Sequence, residues 1–191
     1  MRITGGKARG IPLKVNTGMD SVRPATDRMR ESLFSSIATY VDGSRFLDLF
    51  AGFGSYGLEA LSRGCLGGTF IEKDRRAAKL CHENLAAVTK SLRYGRDTSA
   101  VRCCDVFVWK PAEPNSYDLI FADPPYALLP GILERLLAKV ETCISEDGIF
   151  LLEAPGHIDT ERPGWECLRR LGKGTHQPSV SVLRRVFHDS Q

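Results

Sequence analysis

At 191 residues, 42% of them hydrophobic and 26% charged, the chain fits one ordinary domain with a short extension, and no apolar run approaches the roughly 20 residues that cross a bilayer. The opening Met1-Arg2-Ile3-Thr4-Gly5-Gly6 lacks a signal-peptide core, and the six cysteines and four histidines show neither C-x-x-C spacing nor metal-ligand clustering, so a cytoplasmic protein with free thiols, no membrane anchor and no metal is expected. Net charge is only +3, but residues 1–30 hold seven basic side chains against two acidic ones, a basic arm that reads either as a polyanion-facing end or as a solvated terminus.

In chain order, Arg2-Ile3-Thr4 and Ala8 to Val15 read as a short hairpin turned by Gly5-Gly6. A loop with Gly18 and Pro24 follows. Thr26 is a candidate cap for a helix to about Thr39, with Met29, Leu33, Phe34 and Ile37 near helical spacing. From Arg45 the pattern becomes regular: a buried strand at Phe46–Phe50, a glycine-rich stretch at residues 52–57, and a helix to about Arg63. Thr69–Glu72 is a second strand, leading into a helix from about Asp74 to Thr89. Ser99–Cys104 and Tyr117–Ala122 are the third and fourth strands, Leu128 to about Cys143 has helical spacing, and Gly148–Glu153 is a fifth strand. Trp165–Leu171 and Ser179–Phe187, joined by Gly172–Pro178, read as an antiparallel hairpin at one edge. Alternating strands and helices predict an α/β fold, a mostly parallel sheet covered by helices on both faces.

Gly52-Phe53-Gly54-Ser55-Tyr56-Gly57 places a G-x-G-x-x-G between a strand and a helix. Gly52 and Gly54 allow a tight turn and close approach of backbone to a ligand. Glu72 follows Gly52 by 20 residues, at the end of the next strand, where a carboxylate can bind ribose hydroxyls. Asp48 sits just before the loop. A dinucleotide would bring a pyrophosphate to the helix N-terminus, whereas S-adenosylmethionine carries an ammonium and a sulfonium that a nearby carboxylate suits. Asp48 therefore favours S-adenosylmethionine; an internal bond to loop amides is the plainer role for it. Asp105, in Cys104-Asp105-Val106, reads either as an acceptor for the adenine amino group or as a helix cap.

The sharpest signal is Asp123-Pro124-Pro125-Tyr126, directly after an apolar strand. Open α/β sheets bind ligands at the carboxyl ends of their strands. The prolines fix the backbone, so a carboxylate, a proline carbonyl and an aromatic ring are held rigidly together. An aromatic amine needs such a clamp, because its lone pair is delocalised into the ring. Acceptors on both N–H bonds orient the nitrogen, and Tyr126 can stack on the base. A rigid surface turn is the competing reading.

Asp48-Leu49-Phe50-Ala51-Gly52, Phe70-Ile71-Glu72-Lys73-Asp74 and Asp123-Pro124-Pro125-Tyr126 resemble the RsmD family, the 16S rRNA guanine-N2 methyltransferases. Arg2-Ile3-Thr4-Gly5-Gly6 and Arg23-Pro24-Ala25-Thr26-Asp27-Arg28 are similar to that family's N-terminal signatures. The resemblance covers roughly residues 1–155; it departs at Phe53, where the family usually has a small residue, and around Gly174-Thr175-His176-Gln177. It implies a class I S-adenosylmethionine-dependent methyltransferase fold: a Rossmann-like, mostly parallel seven-stranded sheet with an antiparallel edge hairpin and a short N-terminal β-hairpin extension. It further implies cofactor contacts at Asp48, Gly52, Gly54, Glu72, Lys73, Asp105 and Val106, and catalytic contacts to the target amine at Asp123, Pro124 and Tyr126. The implied partner is 16S rRNA in an assembling small ribosomal subunit, acted on by a monomer. The layout expected is an extension at residues 1–40 and a catalytic domain at 41–191, with Arg2, Lys7, Arg9, Arg23 and Arg28 on RNA phosphates. Methylation of adenine N6 in DNA or RNA, methylation of a protein glutamine and a non-catalytic RNA-binding assembly factor are the alternatives.

Overall fold

The computed structural model describes residues 1–15, 27–93, 98–172, 174–175 and 177–186. Its elements are α1 (Asp27–Ser36), a 3-10 turn (Ala38–Tyr40), β1 (Arg45–Leu49), α2 (Ser55–Ser62), β2 (Gly67–Glu72) and α3 (Arg75–Leu92). Then follow β3 (Ser99–Cys103), β4 (Tyr117–Ala122), α4 (Leu129–Glu141), β5 (Ile144–Pro155), β6 (Trp165–Leu171) and β7 (Pro178–Arg185). The strands form one seven-stranded sheet in the order β3-β2-β1-β4-β5-β7-β6. β7 runs antiparallel to both of its neighbours and is inserted between β5 and β6, so the predicted edge hairpin is present. Chain order reverses between β1 and β4, the switch point at which open sheets of this kind bind ligands.

Strand alternation divides the sheet into two cores. Phe46, Phe70, Leu119, Phe121, Ile149 and Leu151 face one side, with Leu33 and Phe34 of α1, Leu58 of α2 and Cys81 and Leu85 of α3. Leu47, Leu49, Ile71, Ile120, Phe150 and Leu152 face the other, with Leu133, Leu136 and Val140 of α4. Ile3, Ala8 and Leu13 of the N-terminal arm enter the first core, so the arm shares the hydrophobic core of the sheet. α3 starts where the Asp74 side chain accepts from the amides of Arg76 and Ala77. Thr26, the expected cap of α1, lies outside the described residues.

The amino-terminal hairpin differs from the expectation. Its ladder reduces to a single bridge, Arg2 to Pro12, supported by Ile3 N to Ile11 O and Gly10 N to Ile3 O, both 2.9 Å. The amides that would extend it go instead to α2: Lys7 N donates to Ser62 O at 2.7 Å and Ala8 N to Ser62 Oγ at 2.9 Å. Gly5-Gly6 is therefore a packing surface, because a Cβ on Gly6 would stand 1.9 Å from Ser62 O. β5 also begins earlier than its apolar run, at Ile144, where Ser145 Oγ donates to Asp118 Oδ1 at 2.9 Å.

Candidate active site

Register builds the site. Ile71, Leu49, Ala122 and Leu152 lie side by side on four adjacent strands. The next residue on three of these strands is an acid: Glu72, Asp123 and Glu153. On the fourth, β1, it is Phe50, held at φ 58°, an uncommon conformation for an aromatic residue, as the chain turns into the glycine loop. Asp48, Asp123 and Glu153 lie on the face of the sheet that α2 covers, since each is two residues from a strand residue of that core.

In the loop, Gly52 and Gly54 both have positive φ, 56° and 89°. A Cβ on Gly52 would meet nothing within 4 Å, so open space lies before the loop; one on Gly54 would stand 2.8 Å from Cys81 Sγ. A side chain at Gly54 would thus collide with α3, whereas Gly52 borders open space. Glu72 braces the turn, with Oε2 accepting from Gly52 N at 2.8 Å and Oε1 from Asp74 N at 2.7 Å. Phe53 is buried, and its carbonyl accepts from Asn84 Nδ2 at 3.0 Å. The larger residue is thus accommodated within the loop's packing.

Asp48 is buried, and its Oδ2 accepts from Gly57 N at 2.9 Å. Burial raises its carboxyl from 3.8 to about 7; the Gly57 bond lowers it and the Glu72 charge adds to the rise. This amide lies in the first turn of α2, where a dinucleotide would place its pyrophosphate, and it is already committed to a carboxylate. The donor set of Asp48 and Glu72 suits a cationic amino acid and a ribose, and disfavours phosphate. These residues fit S-adenosylmethionine.

Beyond β3, Asp105 caps a turn: Oδ1 accepts from Phe107 N at 2.8 Å, and its carbonyl from Val108 N and Trp109 N at 3.1 and 3.0 Å. Val106 is buried behind it, and Lys73 is exposed next to Glu72.

Asp123 is half-buried, and no described group hydrogen-bonds its carboxyl. Burial, then the charges of Glu153 and Asp48, push that carboxyl well above the usual range. Pro125 O accepts from Leu128 N at 2.9 Å, whereas among the described residues nothing donates to the Pro124 carbonyl. Two acceptors and a half-buried tyrosine ring therefore stand together at the switch point. Tyr126 Oη donates to Glu153 Oε1 at 3.0 Å, and Tyr56 Oη to Glu153 Oε2 at 2.5 Å. Glu153 was not among the predicted site residues.

The basic arm is less uniform than its charge count suggests. Arg2, Lys7, Arg9 and Arg28 are exposed, and Arg23 lies outside the described residues. Arg2 and Arg9 line one shallow cleft with Asp27 and Glu31. Lys7 sits beside Ser62, at the far end of α2 from the glycine loop. Arg30 is fully buried, with Nη2 on Asp27 Oδ1 at 2.9 Å and on Arg2 O at 2.6 Å, and Nε 3.6 Å from Glu59 Oε2. Among the described residues no His/Cys/Asp/Glu group is arranged to hold a metal ion, and no helix is long and apolar enough to cross a membrane.

The strand order, the open glycine loop with its carboxylates and the Asp123–Tyr126 tetrad beside it define a class I S-adenosylmethionine-dependent methyltransferase. The family model described as Conserved hypothetical protein 95 matches residues 1–180, and the chain belongs to that family, the RsmD family. YlbH of Bacillus subtilis is 36% identical over 163 residues, 83% of this chain and 85% of the relative. "Ribosomal RNA small subunit methyltransferase D" of Escherichia coli K12 is 34% identical over 161 residues, 84% of this chain and 75% of that one. The solved structure of yhhF from Escherichia coli is similar with a TM-score of 0.78 at 30% identity, covering 97% of each chain.

Proposed function

We propose that this chain methylates the exocyclic N2 amine of a guanine in 16S rRNA, acting as a cytoplasmic monomer on an assembling small subunit. The observation that carries the reading is the pair of open acceptors, the Asp123 carboxyl and the Pro124 carbonyl, beside Tyr126 at the switch point. When bound, S-adenosylmethionine supplies an electrophilic methyl on its sulfonium. Asp123 and the Pro124 carbonyl accept the two N–H bonds of the amine and turn its lone pair toward that methyl in line, while Tyr126 stacks on the base. The surplus proton leaves to solvent after attack. Asp48, Gly52, Gly54, Glu72, Lys73, Asp105 and Val106 form the cofactor side. Arg2, Lys7, Arg9, Arg23 and Arg28 meet RNA phosphates. The ribosomal substrate is supported by the name of the Escherichia coli relative, and guanine N2 by the likeness of the tetrad and arm motifs to the RsmD family.

Labelled S-adenosylmethionine offered with undermethylated small subunits, free rRNA and duplex DNA tests this directly. Label is expected at a guanine N2 of the small subunit; label only in DNA would refute the substrate. Asp123→Ala is expected to abolish transfer while keeping RNA binding, and intact transfer by this variant would sink the clamp.

A further inference from the structure

Glu153 is an acid buried to 1% exposure on a central strand, and the mechanism above does not use it. Its two oxygens take hydroxyls from two different parts of the site. Tyr56 belongs to the first turn of α2, directly after the glycine loop, and its ring stacks on Phe121 at 5.6 Å and 4°. Tyr126 belongs to the tetrad. One carboxylate thus ties the element that follows the cofactor loop to the ring proposed to stack on the base. We propose that Glu153 is a positioning residue for methyl transfer, aligning Tyr126 with the cofactor loop through Tyr56 and acting by its charge on the adjacent Asp123. This rests on the amine-clamp reading.

The charged and titratable groups around the pair come from every neighbouring element. Asp48 of β1 and Glu153 of β5 act on Asp123; Tyr56 of α2 and Tyr126 bond Glu153; the charge of Arg30 of α1 acts on Tyr56. Burial and the Glu153 charge push both tyrosine hydroxyls up, so both keep the protons they donate. Glu153 accepts two hydrogen bonds and Asp123 accepts none from described groups, so of the two acids Asp123 is the harder to ionise. Removing the Glu153 charge therefore lets Asp123 ionise at lower pH.

The test measures kcat and KM against pH for Glu153→Gln and Tyr126→Phe, with small subunits and labelled S-adenosylmethionine, alongside calorimetric cofactor affinity. Glu153→Gln keeps the volume and removes the charge. It is expected to lower kcat by roughly 10- to 100-fold, the scale of a sub-ångström to 1 Å misalignment, and to move the acid limb of the kcat profile to lower pH, with cofactor affinity within about threefold of wild type. Tyr126→Phe keeps the ring, loses its anchor and is expected to raise KM for the subunit and lower kcat. A slower Glu153→Gln with an unmoved acid limb would leave Glu153 a mere space-filler and overturn the proposal, as would wild-type kinetics in either variant. Asp123→Ala separates the two claims. If it retains transfer, the clamp itself fails; if it abolishes transfer while both other variants behave as wild type, only the role of Glu153 fails.

Discussion

Asp48→Asn isolates the electrostatic cost that the ligand-free site builds into the fold. Burial holds the Asp48 carboxyl at about 7 in the folded chain, against its ordinary 3.8. An acid whose folded value is raised supports folding fully only while it is protonated in both states, below about 4. That support is lost as pH rises through about 7. At about 1.4 kcal/mol per pKa unit, the shift of about three units amounts to about 4 kcal/mol, of which about 3 kcal/mol falls between pH 5 and pH 8. Asp123 and Glu153 are raised in the same direction, so the wild-type slope alone does not identify Asp48. The substituted carboxamide would keep an acceptor for the Gly57 amide and remain neutral. Urea unfolding of both ligand-free proteins at pH 5 and pH 8 should show the variant gaining about 3 kcal/mol on wild type at the higher pH. Parallel pH dependences would refute the assignment of the raised carboxyl to Asp48. A bound cation works in the opposite sense, so S-adenosylmethionine should bind wild type more tightly as pH rises through 7, with proton release.

Glu59→Ala removes a buried acceptor shared by Thr4 N, Thr4 Oγ1, Gly5 N and Arg63 Nε, and takes one of two carboxylates from the buried Arg30, which keeps Asp27. A loss of about 3–5 kcal/mol is expected, a fall in Tm of roughly 6–20 °C by calorimetry; a loss below about 1 kcal/mol would contradict the burial of this cluster. Gly57→Ala would set a Cβ 2.4 Å from Phe70 Cε1 and 2.5 Å from Phe46 Cε2, so about 1–3 kcal/mol should be lost in thermal melts. A neutral melt would mean the two rings yield. Arg9→Ala should lower the slope of log affinity for rRNA against log salt by about 1, and an unchanged slope would remove Arg9 from the phosphate contacts.

Local pattern was enough where one strand carries its own boundary. Tyr117–Ala122 and Trp165–Leu171 read to the residue, the first because an apolar run ends at Asp123. β5 did not, because Ser145-Glu146-Asp147 looks like a turn until Asp118 on the neighbouring strand accepts from Ser145. Gly5-Gly6 looks like a hairpin turn until Ser62, far along the chain, takes the amides of Lys7 and Ala8. Arg30 counts as arm charge in the sequence, yet Glu59 and Asp27 hold it inside. Glu153 was legible and missed. It closes the apolar Ile149–Leu152 just as Glu72 and Asp123 close their strands, but no adjacent motif drew attention to it.

The short helix α2 connects these parts, since seven of its eight residues are buried. A helix buried nearly all round would ordinarily be apolar. This one carries Tyr56, Glu59 and Ser62 at three-residue spacing, on one face, and each polar group is satisfied by a different partner. Tyr56 reaches Glu153 and, through it, the tetrad. Glu59 holds Thr4 and Gly5, and Ser62 holds Gly5 and Ala8. On the other side of the loop, Asn84 bonds both backbone groups of Lys14, at 2.8 and 3.0 Å, as well as the Phe53 carbonyl. The described part of the arm is thus clamped at both ends to the elements that flank the glycine loop. If Arg2 and Arg9 meet RNA phosphates as proposed, those phosphates would be held on an arm bonded to the same elements that carry the glycine loop and Tyr56, so RNA bound there would be oriented relative to the proposed cofactor and amine sites.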